Sequence, residues 1–245
     1  MHVTVVRNPA FRTAPHSADY FVPLDQGRKG APEFTRLFMD PMRENLRTSL
    51  RKLVAQGAGS FLEIGPGWGS GSDIAILHGF RKVSMVELNP ALVSRLENKY
   101  GSAPGDSSIT IYEGDARDVL PSLPSKFTDV GLIFDNTLSN MQKLKGTSGF
   151  ARDDFRQSVL AELVRISRAS VLVGLASVEL TPVFLECFAD KLRETSPDGK
   201  VSIFHNGTVS QRYDDVDVSA LLSSAGVVNA TIRKDCSIYW IEIKP

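Results

Sequence analysis

Hydrophobic and polar residues change their spacing along the chain, and each change marks an element. Across residues 33–56, Phe38, Met42, Leu46, Leu50 and Leu53 recur every three or four positions, the period of one helix face, while Arg43, Arg47 and Arg51 fall on another. Gly57-Ala58-Gly59 stops that helix. Ahead of it, Pro9, Pro15, Pro23 and Pro32 predict an irregular stretch. Beyond it, short apolar runs alternate with helical patterns: strands at 60–64, 82–88, 108–113, 129–134 and 170–176, and helices at 72–78, 90–99, 116–120 and 153–168. Strands alternating with helices predict βαβ units and a parallel sheet covered on both faces. The Val171-Leu172-Val173 run suits a strand buried on both sides. After residue 176 the pattern predicts a helix at 182–194, a strand at 201–205 and a helix at 216–225 closed by Gly226. Runs at 227–232 and 237–243, joined by Arg233-Lys234-Asp235-Cys236, predict a hairpin.

Composition narrows the classes. The chain has 245 residues with 28 Lys plus Arg against 28 Asp plus Glu, a formal net charge of zero. That balance argues against attachment to nucleic acid or to a membrane surface by bulk charge. The two cysteines, Cys187 and Cys236, fit neither a disulfide framework nor a zinc ribbon, and read as reduced thiols in a cytoplasmic protein. No apolar leader is visible in residues 1–21, and the longest apolar run, 171–178, is broken by Gly174 and Ser177 and is too short to cross a bilayer. No spacing of His, Asp or Glu suggests a metal site.

The chemistry concentrates where the strands end. Phe61-Leu62-Glu63-Ile64 runs into Gly65-Pro66-Gly67-Trp68-Gly69, with a helix next. Alternate glycines let the backbone bend tightly and let a ligand approach without a Cβ in the way. The helix that follows turns free N–H groups to the same crevice, where an open parallel sheet binds its ligands. The dinucleotide spacing G-x-G-x-x-G is absent, because Ser70 and Ser72 stand where its third glycine would be. The second strand ends in Val86-Glu87-Leu88-Asn89-Pro90, and a carboxylate there, about twenty residues past the glycines, can accept from both hydroxyls of a ribose. The third ends in Glu113-Gly114-Asp115-Ala116, where Asp115 is either an acceptor for an adenine amino group, with the Ala116 N–H beside it, or a helix N-cap. The fourth ends in Phe134-Asp135-Asn136-Thr137-Leu138-Ser139-Asn140, several polar groups on one strand end.

With these residues together, the chain resembles the class I S-adenosylmethionine-dependent methyltransferases over residues 60–176, and in outline over the terminal hairpin. The resemblance implies a single Rossmann-like α/β domain: a doubly wound sheet, mostly parallel, with a C-terminal antiparallel hairpin strand and an N-terminal helical extension. Residues 1–56 would form a lid over cofactor and substrate, and 57–245 the cofactor-binding unit. It implies that Glu63, Gly65, Gly67 and Gly69 form the loop under the methionine part of S-adenosylmethionine. Glu87 would hold the ribose, Leu88 pack on the adenine, and Asp115 and Ala116 read its edge. Asp135 and Asn136 would lie near the methionine end and the acceptor. Gln211-Arg212-Tyr213 and the run 221–226 also resemble the region of the last helix in small-molecule methyltransferases. No D/N-P-P-Y/F follows the fourth strand, which disfavours methylation of nucleic-acid amino groups.

The implied reaction is methyl transfer to a small molecule, an amine or an amino-acid-like nitrogen, in a cytoplasmic enzyme. Such a transfer asks the protein to position the acceptor and exclude water. Asp135, Asn136 and Asn140 are the candidate catalytic residues, and Tyr20, Asn136 and Asn140 the candidate substrate contacts. An Asn pair in a turn can equally cap backbone, and Tyr20 with Phe21 can equally anchor the N-terminal segment. The alternative keeps the cofactor but attacks its aminobutyrate chain, as in azetidine-2-carboxylate synthases and aminopropyltransferases. The absence of a further acid soon after Asp135 counts against aminopropyl transfer to a polyamine. A nicotinamide oxidoreductase and a binding protein without turnover stand behind both.

Overall fold

The computed structural model describes residues 1–13, 29–135, 137–144 and 152–245. In chain order these form β1 (His2–Arg7), α1 (Ala31–Phe34), a π-helical turn (Thr35–Met39), α2 (Asp40–Ala55), β2 (Ser60–Ile64), α3 (Ser70–Leu77), β3 (Lys82–Glu87), α4 (Pro90–Gly101), β4 (Ser108–Glu113), α5 (Ala116–Ser122) and β5 (Thr128–Ile133). A 3-10 turn (Leu138–Asn140), β6 (Gln142–Leu144), β7 (Arg152–Asp154), α6 (Arg156–Ile166) and β8 (Ser167–Ala176) follow. The chain closes with a 3-10 turn (Val178–Leu180), α7 (Thr181–Phe188), β9 (Leu192–Thr195), β10 (Val201–Phe204), β11 (Val209–Gln211), α8 (Asp215–Ser224), β12 (Ala230–Asp235) and β13 (Ile238–Ile243).

Eight strands make one sheet in the order β1-β4-β3-β2-β5-β8-β13-β12. The first six run parallel, and β13 lies antiparallel between β8 and β12. This is the doubly wound, mostly parallel α/β sheet expected from the alternation. Because successive strand residues point to opposite faces, each strand feeds two cores. Phe61, Met85, Ile111, Leu132, Leu172 and Trp240 fill one, under α2; Leu62, Ile64, Val86, Ile133, Val173 and Ile241 fill the other, under α5, α6 and α8. On α2, Met42, Leu46 and Leu50 are fully buried. Met42 lies so close to β8 that a Cβ on Gly174 would fall 2.4 Å from its sulfur. The strand order reverses between β2 and β5, so a crevice opens there at the carboxyl ends of the strands.

Four local expectations are corrected. Residues 2–7 are not irregular but form edge strand β1, parallel to β4, with Val3 and Val5 packed against the core. The helix expected from 153 begins at Arg156, because the Asp154 carboxylate takes the Arg156 N–H at 3.1 Å and Arg152–Asp154 pairs with β6. The helix expected over 182–194 stops at Phe188, and Leu192–Thr195 pairs with β10, tertiary pairing overriding local helix preference. The polar link 233–236 shrinks to Cys236-Ser237. Arg233 and Lys234 belong to the exposed strand β12, where charged side chains guard a sheet edge. The meander β11-β10-β9 is inserted between β8 and α8.

Candidate functional site

The apolar strand β2 delivers the glycine loop to the crevice. Gly65, Gly67 and Gly69 all have positive φ (64°, 55° and 80°), a region that costs other residues strain. The Gly65 N–H bonds to the Val86 carbonyl at 2.8 Å, and Thr137 Oγ1 donates to the Gly65 carbonyl at 3.1 Å, so the loop is tied to the ends of both neighbouring strands. A Cβ on Gly65 would lie 2.4 Å from Thr137 Cγ2. Gly65→Ala is therefore expected to destabilise the fold by about 1–2 kcal/mol from the left-handed conformation alone. It should also weaken ligand binding in the crevice. Urea unfolding checks the first effect, and wild-type stability would contradict this account of the loop.

Three carboxyl groups stand at the crevice, Glu63 and Glu87 buried and Asp135 half-buried. Glu63, 1% exposed, accepts from Ser72 Oγ at 2.6 Å. Burial pushes it up to about 8 against that bond, and the neighbouring Asp135 adds to the rise. Glu87, at the end of β3, accepts the Asn89 N–H on Oε1 at 2.9 Å and the Gly67 N–H on Oε2 at 3.2 Å. Burial pushes it up to about 7 despite those bonds. The Leu88 N–H also bonds to this carboxylate, and a carboxylate's roughly four acceptor sites are not all used by these three. Asp135 sits past the end of β5 at φ 48° and accepts from Ser70 Oγ at 3.2 Å through Oδ2. Its Oδ1 is buried with no hydrogen-bond partner among the described residues. Burial pushes this carboxyl up to about 6, and the positive Arg43 of α2 and the Ser70 bond pull the other way.

Leu88, beside Glu87, is an apolar side chain left 38% exposed at a strand end. Asp115 caps α5: its carboxylate takes the Arg117 N–H at 2.9 Å and the Arg117 guanidinium. Burial raises its pKa, but the bonds from Arg117 outweigh burial and hold it below the ordinary carboxylate range. The helix-cap reading of Asp115 is thus realised. Ala116, the first residue of α5, carries one of the N–H groups that a helix start leaves without an intrahelical partner. Asn140 closes the turn after Asp135, and its Oδ1 is buried without a partner among the described residues. Tyr20, Phe21 and Asn136 lie outside the described residues.

Further residues at the crevice carry no motif. Phe11 crosses the end of β4, so close that a Cβ on Gly114 would lie 2.7 Å from its Cβ. Arg12 follows: its carbonyl accepts the Asp115 N–H at 2.7 Å, and its side chain grips Asp118. Only the alternation of residues 2–7 hints that this segment is anchored. Trp68, inside the glycine loop, lies under the Arg95 guanidinium, 3.1 Å from the ring centroid. Its backbone carbonyl accepts from Lys99 Nζ at 2.8 Å. Packing against α4 is therefore its role. Arg47 and Arg51 stay on the solvated side, as the spacing on α2 allowed, and only Arg43 reaches toward Asp135.

These groups suit a ligand with a positive end, a vicinal diol and a flat apolar ring. Asp135 offers an orphaned acceptor beside the glycine loop, Glu87 a carboxylate two strands away, and Leu88 an apolar surface next to it. No protein-family model and no curated protein sequence matches the chain. Solved structures do match it in fold. The magnesium protoporphyrin IX methyltransferase of Synechocystis, solved with bound SAH, is 13% identical, with 83% of each chain covered and a TM-score of 0.53. The CcbJ methyltransferase of Streptomyces caelestis is 14% identical, with 82% of this chain and 89% of that one covered and a TM-score of 0.58. Human N-acetylserotonin methyltransferase, solved with SAM, is 16% identical over 82% of this chain and 51% of that one, with a TM-score of 0.53. The fold is that of the class I S-adenosylmethionine-dependent methyltransferases.

Proposed function

We propose that this protein is an S-adenosylmethionine-dependent methyltransferase acting on a small molecule, with an amine or amino-acid-like nitrogen as acceptor. The observation that carries the reading is the pair Glu87 and Asp135. They are carboxyl groups at two strand ends flanking the glycine loop, Glu87 buried with its internal bonds all from backbone N–H groups, and Asp135 half-buried with its Oδ1 enclosed and unpaired. Glu87 takes the ribose hydroxyls, Leu88 the adenine face, and Ala116 offers its N–H to a ring nitrogen. Asp115 contributes chiefly by fixing the start of α5. Asp135, with Glu63 behind it, receives the ammonium, and Gly65, Gly67 and Gly69, all at positive φ, let the loop turn tightly beneath the methionine chain. The bound cofactor supplies an electrophilic methyl on a sulfonium. The chain's own residues do the rest: Asn140 and the turn it closes orient the acceptor nitrogen, which must arrive neutral, and the cover over the crevice excludes water. From residues 1–56 the cover takes the segment of Phe11 and Arg12 at the end of β4, while β1 joins the sheet and α2 packs beneath it, and residues 57–245 supply the cofactor-binding groups. Among the described residues no helix is long and apolar enough to cross a membrane.

Incubation with S-adenosylmethionine and a metabolite extract, followed by mass spectrometry, tests the proposal. The expected products are S-adenosylhomocysteine and an extract component heavier by one CH₂. Methylthioadenosine above a no-enzyme control would overturn methyl transfer in favour of attack on the aminobutyrate chain.

A further inference from the structure

The glycine loop has an outer side as well as an inner one, and α4 holds it. Lys99 Nζ donates to the Trp68 carbonyl at 2.8 Å and to Asp73 Oδ2 at 2.6 Å. Tyr100, the next residue, shares its one hydroxyl hydrogen between the Gly69 carbonyl at 3.1 Å and Asp73 Oδ1 at 3.0 Å. Two successive carbonyls of the loop, and the acid in the first turn of α3, are thus gripped by two successive side chains in the last turn of α4. The fit is close: a Cβ on Gly69 would fall 2.4 Å from the Tyr100 hydroxyl and 3.3 Å from Lys99 Nζ. One turn earlier on α4, Arg95 covers the Trp68 ring. Packing α4 onto the sheet needs none of these polar groups, because Leu92, Val93, Leu96 and the Tyr100 ring already bury its apolar face.

What the grip fixes is the direction of two peptide groups. In a planar trans peptide the N–H points opposite to the C=O. With the Gly69 carbonyl turned to Tyr100, the Ser70 N–H is turned away from it, and Ser70 itself reaches the crevice, where its Oγ donates to Asp135 Oδ2 at 3.2 Å. With the Trp68 carbonyl turned to Lys99, the Gly69 N–H is free to bond the Pro66 carbonyl at 2.7 Å, which closes the turn 66–69 on itself. On the inner side of that turn Glu87 takes the Gly67 N–H at 3.2 Å. The same Glu87 holds the start of α4 through the Asn89 N–H, and the Asn89 side chain caps the helix. One helix therefore ties the carboxylate assigned to the ribose to the loop assigned to the methionine chain. We infer that Lys99 and Tyr100 are positioning residues for the cofactor, acting on its methionine chain through the Trp68 and Gly69 peptides. This inference rests on the methyltransferase reading for the ligand that the loop serves, but its failure can be told apart from the failure of that reading.

Calorimetric titration of Lys99→Met and Tyr100→Phe with two ligands, S-adenosylhomocysteine and methylthioadenosine, tests the inference. Both ligands carry the adenosine, and only the first carries the aminobutyrate chain. Each substitution keeps the buried apolar part of its side chain, so both variants should fold. Each should bind S-adenosylhomocysteine about three- to tenfold more weakly than wild type, and methylthioadenosine within about twofold of it. Lys99→Arg keeps donors for both acceptors and should recover most of the loss. In the protein without ligand, amide hydrogen exchange at Gly69 should be faster in Lys99→Met and Tyr100→Phe, because its bond to Pro66 depends on the turn that the two side chains hold. A merely structural role would weaken both ligands alike, since Glu87 and Leu88 stand at the start of the same helix. Equal losses for the two ligands, an unchanged affinity for S-adenosylhomocysteine, or unchanged exchange at Gly69 would overturn the positioning role alone. A wild-type protein that binds neither ligand would overturn the cofactor reading, and this role with it.

Discussion

Glu87→Ala is expected to weaken S-adenosylhomocysteine binding at least about 100-fold in a calorimetric titration. Hydrogen bonds to a charged group contribute about 1.5–3 kcal/mol each, and the variant loses two that the ribose would make. It also loses the internal bonds that hold the Gly67 and Asn89 N–H groups at 3.2 and 2.9 Å, so the glycine loop and the start of α4 lose a common anchor. Glu87→Gln keeps one carbonyl acceptor and should fall between, about tenfold weaker than wild type. Affinity of the alanine variant within threefold of wild type would remove Glu87 from the cofactor site.

Cofactor affinity should also rise with pH between about 6 and 8. In the protein alone, Glu63 and Asp135 are raised to about 8 and about 6. The groups that face them are Ser72, Asp73 and each other for Glu63, and Ser70 and Arg43 for Asp135. Their folded values lie above those of the unfolded chain, so the folded protein binds more protons over that window. Their contribution to stability is therefore complete below about pH 4 and is lost as pH rises through 6 to 8. A cation in the crevice reverses the preference: an ammonium about 4 Å from a carboxylate gains about 4 kcal/mol at an effective dielectric of 20. Binding then releases protons, and affinity climbs by up to about tenfold per pH unit for each proton released. Titrations in buffers of different ionisation enthalpy should show between about one and two protons leaving at pH 7, because Glu87, raised to about 7, also ionises as it takes the ribose hydroxyls. Asp135→Asn should flatten the lower part of the profile and Glu63→Gln the upper part. An affinity that does not change from pH 6 to 8 would contradict this role for the acid pair.

What the sequence disclosed follows from burial. The strands β2 to β5 gather apolar residues because helices cover both faces, although Ser84 interrupts β3 and Thr110 interrupts β4, and the glycines and acidic residues at or just past their carboxyl ends mark the crevice. Glu63, Glu87 and Asp135 were visible for that reason, and the structure places Glu63 and Glu87 buried there and Asp135 half-buried with its Oδ1 enclosed. At Asp115 local spacing allowed two roles, and only the position of Arg117 decides that its carboxylate caps a helix. The strands β1, β9, β11 and β12 escaped or shifted because they lie at sheet edges, whereas β10 falls where the apolar run 201–205 put it. In β1, β9 and β12 much of the strand is exposed, and pairing, not composition, fixes the conformation. Gln211-Arg212-Tyr213 stood out only as a resemblance, and the burial of Arg212 shows only once Phe184, Thr181 and Ser202 are seen to enclose it.

The most direct measurement is a crystal structure of the protein with S-adenosylhomocysteine. The expected result puts both ribose hydroxyls on the two oxygens of Glu87, the adenine against Leu88, and the ammonium at Asp135 Oδ1. A ligand elsewhere on the sheet, or one in the crevice that leaves Glu87 and Asp135 untouched, would contradict the account.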